Sequence, residues 1–162
     1  PVIAGRYRLP LFANYVDVLD STAYITHGGP GYGDSVNAVE VLDVRNPGSI
    51  LQVGWIPTDS GLYSLVVRDY HSYATNFFTI YALDVTDPLE WKVVGKVGTG
   101  YNPGRFDLVA GDSVIYVADR DQIWPECWGS FTVLNVAAPD HPAILSQYPV
   151  FGSVLDVDAQ GH

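Results

Sequence analysis

One short motif recurs three times and constrains the fold more than any other feature of this 162-residue chain. Its copies are Val39-Glu40-Val41-Leu42-Asp43-Val44-Arg45-Asn46-Pro47, Ile80-Tyr81-Ala82-Leu83-Asp84-Val85-Thr86-Asp87-Pro88 and Phe131-Thr132-Val133-Leu134-Asn135-Val136-Ala137-Ala138-Pro139. Pro47 and Pro88 are 41 residues apart, and Pro88 and Pro139 are 51 apart. The register holds downstream, where Gly54, Gly95 and Ser146 each follow their proline by seven residues. Each copy is an apolar strand that ends in an acid or amide and a proline. That is a strand running into a turn, because Asp and Asn bond nearby backbone amides and Pro pre-sets the turn backbone.

A second strip recurs upstream of each motif. Tyr15-Val16-Asp17-Val18 leads to Ala23-Tyr24-Ile25, Ser64-Leu65-Val66-Val67 to Ser72-Tyr73-Ala74, and Asp107-Leu108-Val109-Ala110 to Ile115-Tyr116-Val117. Between the halves lie Asp20-Ser21, Asp69-Tyr70 and Gly111-Asp112, which are two-residue hairpin turns. A unit is therefore four short strands, A to D: A before the hairpin, B with the tyrosine, C ending in the motif and D after the proline. Val2-Ile3-Ala4-Gly5-Arg6-Tyr7 matches strand D, with Gly5 in the Gly54 place, and residues 151–162 match the start of a further A. The expected content is a leading D, three full units over about 12–57, 62–98 and 104–149, and a trailing A, or 14 strands.

Four-stranded units at this spacing are the sequence signature of β-propeller blades. A single such sheet leaves both faces bare, and packing blade on blade covers them. A Greek-key sandwich would leave the fixed Asp-to-Pro register unexplained. Composition agrees with an all-β chain. There are 16 Gly, 11 Pro and 11 Tyr, and of 18 acidic residues only Glu40, Glu90 and Glu126 are glutamates. No window sustains a 3.6-residue period. With 48% hydrophobic and 16% charged residues, the chain is long enough to hold a core without disulfides, and its single cysteine permits no intrachain bridge. A net charge of −10 excludes non-specific binding to nucleic acid or anionic lipid. No apolar run approaches the roughly 18 residues of a membrane helix.

The strand C motif resembles the LVIVD repeat of bacterial and archaeal propeller proteins, through Val39–Asp43, Ile80–Asp84 and Phe131–Asn135, the following proline turn and the Ala23-Tyr24-Ile25 strand. Asn135 in place of Asp, Tyr73-Ala74 in strand B and several insertions depart from the pattern. The resemblance implies a secreted or surface-displayed propeller, often one module of a larger protein, and it carries no catalytic set. It implies that Asp43 and Asp84 cap the C–D turn, and Pro47, Pro88, Asn135 and Pro139 are the other residues of these turns.

Candidate chemistry is sparse. His27-Gly28-Gly29-Pro30-Gly31 has the look of an oxyanion loop, but no Gly-x-Ser-x-Gly elbow accompanies it, and it reads as a loop. Gly33-Asp34-Ser35-Val36 and Gly111-Asp112-Ser113-Val114 read likewise. His27, His71, His141 and His162 have no metal-ligand spacing. Asp17, Asp20, Asp119 and Asp121 do not form a calcium loop, and turn chemistry explains them more simply. The sequence thus assigns no catalytic residue, cofactor or metal.

The most unusual stretch is Arg120-Asp121-Gln122-Ile123-Trp124-Pro125-Glu126-Cys127-Trp128-Gly129, inserted between strands B and C of the third unit. Two loop tryptophans either fold back over the blade or contact a partner. Tyr32, Trp124, Cys127 and Trp128 are the candidate contact residues. Lys92 and Lys96 are the only lysines and there is no Asn-x-Ser/Thr sequon, which suits an extracellular or cell-surface protein. With no methionine, the chain reads as a processed product or a segment of a longer one.

The expected function is a non-enzymatic extracellular module for structure or protein interaction. Its partners are copies of itself, through terminal strands or rim loops in a filament, or the rest of a longer chain. The alternative is a glycan-binding propeller using Tyr32, Trp124 and Trp128. An enzyme with its site in the central channel or on the rim is the third reading.

Overall fold

A computed structural model describes residues 2–28, 36–76, 79–98, 103–110, 113–121, 128–152, 154 and 157, the side chains of 103–110, 119–121 and 128 excepted. Among these residues there is no helix. Twelve strands form three antiparallel sheets of four. The first holds β1 (Ala13–Leu19), β2 (Thr22–His27), β3 (Ala38–Asp43) and β4 (Leu51–Pro57). The second holds β5 (Ser64–Arg68), β6 (His71–Thr75), β7 (Thr79–Asp84) and β8 (Lys92–Gly98). The third holds β9 (Pro103–Ala110), β10 (Val114–Asp121), β11 (Trp128–Asn135) and β12 (Ala143–Phe151). Strand order follows chain order within each sheet, so every connection is a hairpin.

The repeated residues build the same local structure three times. Between strands A and B, Asp20 (φ 54°) and Asp69 (φ 50°) sit in the left-handed region, which a short polar side chain tolerates in a two-residue hairpin turn. At the end of strand C, Asp43, Asp84 and Asn135 each accept the backbone N–H two residues on, at 3.0, 2.9 and 2.9 Å. Pro47, Pro88 and Pro139 then occupy the second position of a turn closed by Ser49 N–H to Asn46 O, Glu90 N–H to Asp87 O and His141 N–H to Ala138 O. The intervening Val44, Val85 and Val136 donate back to the A–B turn, at Ser21 O, Tyr70 O and Ser113 O. A bulge falls at one register point in all three C–D pairs, between Val41/Leu42, Ala82/Leu83 and Val133/Leu134. It increases the local twist of each outer strand.

Period-two alternation gives each sheet two apolar faces. Tyr24, Val39, Val41 and Ile56 of the first sheet pack on Leu65, Val67, Ala74, Leu83 and Val85 of the second. Tyr73, Ile80 and Ala82, from the other face of the second sheet, pack on Ile115, Val117, Leu134 and Val136 of the third. Strand β1 lies beside β5, and β5 beside β9. Asp17 on β1 ties the first two sheets by accepting the Val67 N–H at 2.6 Å. This donor lies on β5, the edge strand of its sheet.

The expected leading D strand does not form, because residues 2–9 have no sheet to join and are not strand. They still lie where a D strand would. Tyr7 and Leu9 pack on Ala23, Ile25 and Leu42, on the first sheet's remaining face. A side chain added at Gly5 would collide with the Pro47 carbonyl, one at Gly54 with Leu89, and one at Gly95 with the Pro139 carbonyl. Each of these glycines thus meets the proline turn of the unit that follows it. The expected trailing A strand lies beyond Phe151, where Val154 and Val157 are described and are not strand.

Candidate functional site

The most chemically distinctive cluster lies on that same face of the first sheet. His27 ends β2, and Glu40 lies mid-β3. Glu40 stands opposite Ile25 and His27 opposite Ala38, so the two side chains are diagonal neighbours on one face. Both are completely buried, and His27 Nε2 lies 2.9 Å from Glu40 Oε2. His27 Nδ1 lies 3.1 Å from the Phe12 carbonyl, and the Tyr7 hydroxyl donates to Glu40 Oε1 at 2.9 Å. Trp55 stacks on the imidazole, with ring centroids 5.2 Å apart and an interplanar angle of 22°.

Donor and acceptor chemistry fixes most of the protons. A carbonyl only accepts, so Nδ1 carries a hydrogen toward Phe12 O. The second shared proton lies between Nε2 and Oε2. The cluster is then either an imidazolium–carboxylate pair or a neutral imidazole bonded to a carboxylic acid, and it is neutral overall in both forms. Burial, and secondarily the hydrogen bond to Glu40, raise the Tyr7 phenol above its ordinary value.

Nothing in this arrangement presents a nucleophile or base to a substrate. The pair is sealed by Trp55 and by the segment carrying Tyr7. Its work is to fasten residues 2–9 to the first sheet and satisfy a carboxylate inside it. The corresponding positions of the second unit also pair, with Asn76 Nδ2 donating to Tyr81 Oη at 2.9 Å. Sequence reading treated His27 as part of a glycine loop and did not single out Glu40. The available signal was a glutamate inside an apolar strand, since a carboxylate buried there needs a partner.

A cleft of about 220 Å3 opens between the first two sheets, lined by Ile56, Pro57, Asp59, Tyr81, Trp91 and Val93 among others. It is smaller than the roughly 300 Å3 at which ligand pockets usually begin. Trp91 packs on Tyr24 with ring centroids 5.5 Å apart, and its Nε1 is buried without a hydrogen-bond partner.

Tyr32, Trp124 and Cys127 lie outside the described residues, and Trp128 begins β11 with only its backbone described. The turn residues Asp43, Pro47, Asp84, Pro88, Asn135 and Pro139 are spread over the C–D turns of three sheets rather than gathered at one place. Among the described residues no three His, Cys, Asp or Glu side chains gather to hold a metal, and no helix is long and apolar enough to cross a membrane. Asp17, once a calcium candidate, accepts the Val18 and Val67 N–H groups. No protein-family model matches the chain, and a search of the curated proteins finds no relative.

Proposed function

We propose that this chain is a propeller-type stack of four-stranded units that acts outside the cell as a non-enzymatic structural or protein-interaction module. The observation that carries the reading is the repeated interlock between units. The A strands neighbour one another in series. A glycine of one D strand meets the next unit's proline turn at each junction, as Gly54 meets Leu89 and Gly95 meets Pro139. Units joined at A strands and twisted at their bulged D strands fan around an axis, which is the geometry of blades. The buried His27–Glu40 pair and the half-buried Tyr7 and Asp17 serve the same end, since they tie residues 2–9 to the first sheet and β1 to β5.

Two measurements on the native protein test this. Solution scattering of the folded chain should fit three sheets fanned about a common edge, and an extended or globular sandwich profile would refute the blade arrangement. A membrane-impermeant amine reagent applied to intact producing cells should label the exposed Lys92 and Lys96. Labelling only after lysis would refute extracellular placement.

A further inference from the structure

The unit repeat offers an internal standard for what each sheet face should contact. Tyr24 and Tyr73 are each 5% exposed because the next sheet covers them. Val39, Val41, Ile80 and Ala82 are buried for the same reason. In the third unit the same positions are Tyr116, Phe131 and Val133, and all three are only half-buried. Tyr116 and Phe131 stack on each other at 5.9 Å. Tyr148 stands where Ile56 stands in the first unit, and it is 70% exposed against 7%. The opposite end of the stack shows the complement. Val16 and Val18 of β1 are 55% and 54% exposed, whereas Leu65 and Val67, at the same positions of β5, are 0% and 3% exposed. One molecule therefore carries both halves of the interface that it forms twice internally, the third-sheet half open and the first-sheet half open at β1, with Ile25 and Leu42 covered by residues 2–9.

We propose that the open face of the third sheet docks onto the first sheet of a second copy of this chain, head to tail, with Tyr116, Phe131, Val133 and Tyr148 against Val16 and Val18. The proposal rests on the stacked-unit reading above. The contact is heterologous, so it propagates from copy to copy unless the rotation closes a ring. Residues 2–9 already occupy the outer part of the receiving face, held by the Tyr7–Glu40 hydrogen bond and apolar packing but by no strand pairing. The incoming β12 takes their place, which puts Ser146 where Gly5 sits against the Pro47 turn. A Cβ there collides with a backbone carbonyl, so the serine weakens the fit. Each copy carries a net charge of −10, so added salt strengthens docking by screening repulsion.

Sedimentation of the full chain across the micromolar range tests this. Wild type should form a concentration-dependent series at multiples of the chain mass, shifted toward larger species by salt. Removal of residues 1–9 and Ser146→Gly should each shift it further. A head variant, Val16→Glu with Val18→Glu, and a tail variant, Tyr148→Glu, should each weaken association by at least about tenfold. All three are surface positions, and near-UV circular dichroism checks that the variants remain folded. Mixed together, the two variants should give a 1:1 dimer and nothing larger, since one intact head and one intact tail remain. Docking is overturned if the chain without residues 1–9 stays monomeric throughout, if the mixture gives no dimer, or if either variant associates as wild type does. A folded monomer whose scattering fits three fanned sheets would sink docking alone. A misfitting scattering profile would sink the stacked-unit reading itself.

Discussion

The His27–Glu40–Tyr7 cluster shows how one buried carboxylate commits its neighbours. Once Glu40 is inside the sheet, His27 must face it and Tyr7 must cap its second oxygen. Glu40→Ala leaves the imidazole buried without its partner, and removing one member of a buried pair costs about 3–5 kcal/mol. Tyr7→Phe leaves the second carboxyl oxygen of Glu40 buried without its donor and costs about 1–3 kcal/mol. Urea denaturation followed by tryptophan fluorescence should rank the two in that order. Equal losses would mean that the tyrosine, not the histidine, carries the cluster. A second residue-scale prediction concerns acid. The Arg45 side chain and, next, its backbone N–H hold the Asp43 carboxyl at about 2, below its ordinary 3.8. A carboxyl depressed by folding contributes stability that is complete above its unfolded value and is lost as pH falls through the folded one. The Asp43 contribution should therefore fade between about pH 4 and pH 2. Asp43→Asn keeps the amide acceptor, as Asn135 does in the third unit, and should flatten that part of the stability profile. An unchanged acid limb in the variant would assign the loss to other groups. Asp84 is lowered too, first by the Thr86 hydroxyl and then by the Thr86 N–H.

Single strands were legible because their signals are local. Alternating apolar residues, a hairpin aspartate and an Asp-to-Pro turn lie within a few positions of each other, and they mark β1 to β12 in the expected order. The leading segment matched strand D in pattern, but a strand also needs an edge to pair with, and pairing is not a property of the segment itself. The His27–Glu40 pair was illegible for a related reason. Ten residues separate β2 from β3 in the sequence, and the same positions of the second unit carry Asn76 and Tyr81, so the repeat gave no shared chemistry to notice. The D-strand glycines were legible as a register, but their purpose becomes clear only at the junctions. Gly95→Ala drives a methyl group into the backbone of the Pro139 turn, whereas Gly54→Ala meets the movable end of Leu89. Overpacking costs about 1–3 kcal/mol, and backbone yields less readily than a leucine tip. Gly95→Ala should lower the urea midpoint clearly more than Gly54→Ala. The reverse order would mean that the second junction is looser than the first.

At the scale of the molecule, stability is distributed over two junctions that share the middle sheet. Leu65 sits in the cluster between the first and second sheets, Ile115 in the cluster between the second and third, and both are fully buried. Each truncation to alanine should cost about 2–5 kcal/mol. Their consequences should differ in place, because in a stack of units each sheet is held only by its neighbours. Ile115→Ala loosens the third sheet, which among the described residues has no sheet packed on its other side. Amides of β11 should then exchange faster while those of β3 keep their rates. Leu65→Ala should do the reverse, freeing the first sheet and sparing β11. Amide hydrogen exchange measured strand by strand separates these outcomes. If either variant accelerated exchange equally in all three sheets, the molecule would unfold as one cooperative body. The open faces at its ends would then cost no more stability than any other surface, whereas opposite patterns in the two variants would locate the weakness at the sheets that have one partner instead of two.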